Sequence, residues 1–243
     1  WRSKLMEQVH RVRLWGTNAA IAVSRSTAEQ MRRKWGARRV SIIYNGVDAP
    51  RLRAAVHKHR VPTEPDAPRI LSLSRLSPEK GIDVLIAVIK ALEKDERYHF
   101  HVMGSGTLQA LVEHELSGMS NVNLSAPLAH LSHYLASFDY LFMPSRFEGL
   151  SILALEANFN GLPIVGNACP GLRDTLPTDW PLFVAHNDMS AYLRLFSAQL
   201  QTFSRAQLQQ QAYEFVAQHF SMTTMQQCYE AVYKAKRKTM TPA

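Results

Sequence analysis

The chain has 243 residues, 46% of them hydrophobic and 20% charged, which excludes a disordered polymer and supplies core for one large domain or two small ones. No apolar run approaches the ~18 residues of a membrane span, and two distant cysteines, Cys169 and Cys228, exclude a disulfide scaffold or zinc ribbon and fit a reducing cytoplasm. The net charge of +8 is unevenly spread: residues 1–60 carry 14 Lys and Arg against 3 acids, residues 61–233 carry 10 against 17, and the last ten residues add four cations. Basic ends of this kind suit nucleic acid, anionic lipid or plain solvated helix faces. Because the first residue is Trp1 rather than Met, a piece of a longer chain is expected.

In chain order, Ala20–Ser24 reads as a short strand and Ser26–Trp35 as a polar helix. Val40–Tyr44 is a second strand, stopped by the turn signal Asn45-Gly46. A looser stretch from Asp48 to Pro68 reads as a linker with a short helix around Arg51–His57. A regular alternation begins at Arg69: strand Ile70–Ser74, helix Ile82–Leu92, strand Phe100–Met103, helix Leu108–Leu116 and strand Val122–Leu124. It continues with a short helix His130–Ser137, strand Tyr140–Met143, helix Leu150–Phe159 and strand Pro163–Val165, after which two or three helices finish the chain. Strands that are apolar throughout, not at every second residue, imply a parallel sheet covered on both faces, so the fold class is α/β, a Rossmann-like doubly wound sheet.

Ligands of such sheets bind beyond the carboxyl ends of the strands. After Ser74 the segment Arg75-Leu76-Ser77-Pro78-Glu79-Lys80-Gly81 puts two cations five residues apart on a loop entering a helix. Arg can fork around phosphate oxygens and Lys adds a point charge, although an ordinary surface Arg and helix-start Lys account for the pair more readily when it stands alone. After Met103, Gly104-Ser105-Gly106 resembles a phosphate turn, but the dinucleotide fingerprint needs a further glycine where Gln109 stands, so a nicotinamide site is disfavoured. After Met143 comes Pro144-Ser145-Arg146-Phe147-Glu148-Gly149-Leu150-Ser151 and an apolar helix carrying Glu156. A helix starting near Gly149 presents the backbone N–H groups of Gly149, Leu150 and Ser151 to an anion, and Gly149 admits close approach. Were both glutamates helical, Glu148 and Glu156 would lie ~12 Å apart along the axis and about 80° apart in rotation. They then touch different parts of one extended ligand and do not form a carboxylate pair for hydrolysis. Glu156, on a largely apolar helix, needs hydroxyl donors such as a ribose diol, or a salt bridge to a neighbouring Arg.

Taken together, Tyr44-Asn45-Gly46-Val47-Asp48, Ser74-Arg75-Leu76 with Lys80-Gly81, Gly104-Ser105-Gly106, Glu148 through Glu156-Ala157 and Gly161-Leu162-Pro163-Ile164-Val165 resemble the donor-binding, C-terminal half of the retaining glycosyltransferases of family 4, which have the GT-B fold. The resemblance runs from about Ala19 to the end of the chain. It implies a remnant of the N-terminal acceptor domain over 1–44, a nucleotide-sugar donor domain over 45–220, and a helix over 221–243 that crosses back toward the first domain. It implies that Arg75 and Lys80 neutralise the leaving diphosphate, that Glu148 faces the transferred sugar, and that Glu156 binds the ribose. The backbone at Gly149, Leu150 and Ser151, with Gly104 and Gly106, would hold phosphate and sugar.

No cofactor or metal is then expected, because cationic side chains and a helix terminus carry the developing charge. The leaving phosphate would help deprotonate the incoming hydroxyl. The implied partners are a nucleotide sugar, with a uridine diphosphate sugar favoured, and a saccharide or lipid-linked acceptor held by the missing domain. Such enzymes of bacterial capsule or surface polysaccharide synthesis are cytoplasmic, and the basic ends offer peripheral membrane contact but no nucleic-acid site. With half of the cleft missing, the fragment is expected to transfer nothing alone, and its last helix to be poorly held. Ser74, Ser105, Asn158-Phe159-Asn160 and Pro170-Gly171 with Asp174 depart from the family pattern and bear on sugar preference. The competing readings are a sugar-nucleotide epimerase, for which no acid/base set is visible, and a basic nucleic-acid or membrane-surface module without catalysis, which predicts steep salt dependence.

Overall fold

The computed structural model describes residues 8–9, 20–55, 68–95, 97–127 and 134–240. Its centre is a six-stranded, wholly parallel sheet of β3 (Arg69–Leu73), β4 (His99–Met103), β5 (Val122–Ser125), β6 (Tyr140–Met143), β7 (Ile164–Asn167) and β8 (Phe183–Val184). The spatial order is β5-β4-β3-β6-β7-β8. Counted from the first strand of the sheet this is 3-2-1-4-5-6, the doubly wound order whose direction of winding reverses between β3 and β6. A smaller sheet pairs β1 (Ala20–Ala22) with β2 (Val40–Ile42), also in parallel, through helix α1 (Arg25–Trp35).

The central strands are buried from both sides. Every residue of Tyr140–Met143 and of Ile164–Asn167 is buried, as are Ile70 and Leu71. Helix α3 (Ile82–Ala91) covers one face with Ile82, Leu85, Ile86, Val88 and Ile89. Asp83 in its first turn and Lys90 in its last complement the helix dipole. Helices α4 (Gln109–Leu116), α5 (Ile152–Phe159), α6 (Met189–Arg194) and α7 (Arg205–His219) complete the layers. Phe196 packs edge-on against Tyr98, Phe100 and Phe142 at the centre of the core. A second apolar cluster joins Leu52 of helix α2 (Ala49–Ala55) to Leu155, Phe159 and Val216.

The chain crosses from the smaller sheet at Gly46-Val47. Val47 donates to the Phe220 carbonyl at 2.8 Å, and a Cβ on Gly46 would lie 2.5 Å from the backbone nitrogen of Met222, so only glycine fits beside the start of helix α8 (Met222–Met240). Beyond Met225, whose sulfur accepts from the Gly46 N–H, α8 leaves only Tyr229 and Val232 half-buried as far as Lys234. No described helix is long and apolar enough to cross a membrane.

Two expected elements differ. Two-residue β8 is hidden between Pro181 and Ala185, in a stretch expected to hold only helices. Of the expected helix His130–Ser137, residues 130–133 lie outside the described ones, and Leu135–Ser137 is a single tight turn. Of the linker, residues 56–67 likewise lie outside.

His101 of β4 is buried against Phe138, with no hydrogen-bond partner for Nε2 among the described residues. Burial, then the charges of His99 and Arg69, lowers its pKa to about 4. The unfolded chain takes up that proton near pH 6.5, so stability present above this pH is lost as pH falls toward 4. The full loss is about 3 kcal/mol. Urea unfolding at pH 7 and pH 4.5 is expected to show most of this difference in the wild type and to lose it in His101→Phe.

Candidate functional site

The site lies where the winding reverses, beyond the carboxyl ends of β3 and β6. A cleft of about 600 Å³ opens there, with Ser74, Arg75 and Lys80 on one side, Gly106 on a second, and Met143 and Ser151 on a third. It brings together the loops that the sequence singled out after Ser74, Met103 and Met143.

Lys80 ends a tight turn that Ser77 starts, and Gly81 follows it with φ +69°. A Cβ on Gly81 would stand 2.0 Å from the Pro144 carbonyl, so glycine lets the two loops touch. Lys80 Nζ donates to Glu148 Oε1 at 2.7 Å, and the same oxygen accepts from Ser145 Oγ at 2.8 Å. Both charges are largely buried, the Lys80 side chain 19% and that of Glu148 9% exposed. Arg75 reaches outward, 71% exposed, and meets Glu79 at 3.1 Å. The Glu79 carboxylate is held below its usual range by the Ser77 hydroxyl and its own backbone N–H, with a smaller part from Arg75 and Lys80.

Arg146 was not among the residues expected to matter, yet it ties the two loops together. It forks onto both oxygens of Asp83 at 2.7 and 2.6 Å and donates to the Pro78 carbonyl, while its own N–H donates to Glu79. This fork lowers the Asp83 pKa and raises that of Arg146. Only the position of Arg146 between β6 and Glu148 could have marked it. Behind Glu148, the buried Cys169 thiol is pushed up to about 11 by burial and then by the Glu148 charge.

The helix after Glu148 starts later than expected. Its first residue is Ile152, and the Ser151 side chain caps it by accepting from the Ala154 N–H. The free helix-end N–H groups are therefore those of Ser151, Ile152 and Leu153, whereas Gly149 and Leu150 form a bend before the helix. A Cβ on Gly149 meets nothing within 4 Å, so no packing in the chain itself demands glycine there. Gly104 and Gly106 have a packing role: side chains there would collide with the carbonyls of Ser74 at 2.1 Å and Leu76 at 2.4 Å. These glycines let the β4 loop lie flat against the Arg75 loop, stitched by Leu76 N–H to Ser105 at 2.8 Å.

Glu148 is not among the residues lining this cleft, and neither is Glu156. Glu156 Oε1 meets Arg51 Nη2 at 2.5 Å, so the salt bridge weighed in the sequence is the one formed. The pair joins α5 to α2, with Arg51 56% exposed. As expected, the two glutamates are not partners; each has its own cation.

A second cavity of about 460 Å³ lies along α7 near Trp180 and Phe203. Among the described residues its lining carries Asp179 and Glu214 but no cation.

Residues 67–200 match the family described as Glycosyl transferases group 1. Among curated relatives, the sulfoquinovosyl transferase SQD2 of Arabidopsis thaliana is 31% identical over 165 residues, 65% of this chain and 30% of its own length. The glycogen synthase of Deinococcus radiodurans is 35% identical over 138 residues, 53% of this chain and 29% of its own. The chain thus spans under a third of the length of these relatives. A TarM variant from S. aureus, solved with fondaparinux, alpha-GlcNAc-glycerol and UDP, superposes with TM-score 0.74 at 20% identity, over 93% of this chain and 46% of that one. Anabaena HepE, solved with UDP-glucose, gives 0.73 at 17% identity, over 94% and 68%. The fold is accordingly the Rossmann-like α/β fold of GT-B glycosyltransferases. With more than half of its length inside the family match, the chain belongs to the group 1 glycosyl transferases.

Proposed function

We propose that this chain is the C-terminal, donor-binding half of a retaining glycosyltransferase of family 4, and that its cleft holds a nucleoside diphosphate sugar. One observation carries the reading: Lys80, Arg75 and the free N–H groups at the start of α5 converge on one cleft at the switch point of the sheet. That arrangement is built for a polyanion. Two cations and a helix dipole can take the charge that develops on a departing diphosphate, so no metal is assigned a role. Glu148, fixed by Lys80 and Ser145 through one oxygen, keeps its second oxygen for a sugar hydroxyl.

Glu156 is assigned to the ribose. Its exposed partner Arg51 is a weak competitor, since ion pairs of this exposure contribute about 0–1 kcal/mol. A vicinal diol can replace that guanidinium. The departing phosphate would take the proton of the incoming hydroxyl, on the face from which the sugar leaves. Uridine is the favoured base, in keeping with the ligands of the TarM and HepE structures. A saccharide or lipid-linked acceptor would sit on an N-terminal domain of which residues 1–44 are the remnant, with 45–220 as the donor domain and 221–243 as the returning helix. The exposed cations Arg32, Arg33, Lys34, Arg38 and Arg39 suit a peripheral contact with anionic lipid at the cytoplasmic face. Capsule or surface polysaccharide synthesis is the favoured setting, and the chain alone is expected to bind donor without transferring it.

Calorimetric titration with UDP, GDP and ADP tests this. UDP is expected to bind one to one, and Glu156→Ala to weaken it about tenfold, the effect of losing a charge-assisted hydrogen bond. If no diphosphate binds, or if Glu156→Ala leaves the affinity unchanged, the assignment fails.

A further inference from the structure

The loop that carries Glu148 is held from outside the cleft by a helix that contributes nothing to its lining. The Glu148 N–H donates to the Pro170 carbonyl at 3.0 Å. Gly171, with φ +82°, lies so close that a Cβ there would be 2.0 Å from the Glu148 carbonyl and 2.8 Å from that of Gly149. Residues 170–171 therefore wrap the peptide between Glu148 and Gly149. Three residues on, Asp174 Oδ2 accepts the Ser26 N–H at 3.0 Å, from the first turn of α1. The next residue of that turn completes the grip, as Thr27 Oγ1 donates to the Gly149 carbonyl at 3.1 Å. Ser24, the cap of α1, fixes Thr27 by donating to the same hydroxyl at 2.9 Å and accepting its N–H at 3.0 Å. The contact is not the most stable that could be built, because Ser26 Oγ is buried there without a partner among the described residues.

We propose that Thr27 and Asp174 are positioning residues: by gripping the Gly149 carbonyl and the 170–174 segment, they set Glu148, and through its ion pair Lys80, in the geometry that receives the second phosphate. Neither residue lines the cleft, and the part played by Lys80 rests on the donor-site reading above. The grip ties the β1–α1–β2 unit to the donor cleft at one point, so the position of that unit is felt at Glu148.

The test uses the full chain with Thr27→Val and Asp174→Ala, and with Thr27→Ser and Asp174→Asn, which keep the hydroxyl donor and the acceptor oxygen. NMR-detected hydrogen exchange of the Glu148 amide in the ligand-free protein is expected to quicken about tenfold in the first pair and stay near wild type in the second, with the β3 and β6 amides unchanged in all four. UDP is expected to bind about fivefold more weakly to the first pair, while UMP, which lacks the second phosphate, changes less than twofold. Unchanged Glu148 exchange in Thr27→Val and Asp174→Ala would overturn the grip. Equal weakening of UDP and UMP would overturn the positioning role. If the wild type bound neither nucleotide, the donor-site reading would fall while the exchange result still decided the grip.

Discussion

Gly171→Ala is expected to cost about 4 kcal/mol, a large effect for a single methyl group. Two penalties add there. A φ of +82° disfavours any side chain by about 1 kcal/mol. The new Cβ would also stand 2.0 Å from the Glu148 carbonyl oxygen and 2.5 Å from its carbon. Those are backbone atoms, pinned by the hydrogen bond to Pro170, so they cannot swing away as a flexible side chain would. Forced overpacking of this kind costs about 1–3 kcal/mol, and here it falls on a pinned segment. Gly118 supplies the control, with φ +84° but nothing within 4 Å of its added Cβ. Gly118→Ala is expected to cost about 1 kcal/mol. Urea unfolding of the two variants separates the clash from the backbone term, and equal costs would mean that the 170–171 segment yields freely.

Lys80→Met carries the second large effect, on stability and binding together. It leaves the Glu148 carboxylate, 9% exposed, with Ser145 as its remaining side-chain donor. Removing one partner of a buried pair costs about 3 kcal/mol, mostly from the charge left behind. Glu148→Gln in the same chain removes that charge, so the double variant is expected to recover most of the loss. Nucleotide binding should not recover, because the cation assigned to the diphosphate is absent from both variants. Denaturant midpoints and a UDP titration of the two variants read these outcomes separately. A double variant as unstable as Lys80→Met would show that the pair is not the source of the cost.

The strands were legible because burial on both faces leaves an unbroken apolar word, as in Tyr140–Met143 and Ile164–Val165. Two-residue β8 has no such word: only pairing with Gly166 and Asn167 makes Phe183–Val184 a strand. The loops at the strand ends were legible as chemistry, because Arg75, Lys80 and Glu148 follow buried strands directly. Their pairing was not, since the Lys80–Glu148 contact spans 68 residues. Gly104 and Gly106 suggested a phosphate turn; that they also let the Arg75 loop lie against them could not be read, because sequence alone carries no sign of that neighbour. The later start of α5 follows from Ser151, a good cap, which outcompeted a start at Gly149. Glu156 shows the limit most plainly. Its need for a partner could be read from the apolar helix around it, but Arg51 lies 105 residues away. Thr27 reads as an ordinary helix start, and Asp174 stood out only as a departure bearing on sugar preference; neither hinted at a grip on Gly149 until the fold joins them.

In the proposed complex the diphosphate sits at the carboxyl ends of β3 and β6. Chemical-shift mapping of the full chain with UDP tests it most directly. The largest shifts are expected on Ser74–Gly81, Gly104–Gly106 and Gly149–Leu153. Shifts gathered instead along the cavity of Asp179, Trp180 and Glu214 would contradict it, as would no shift at any concentration that saturates binding.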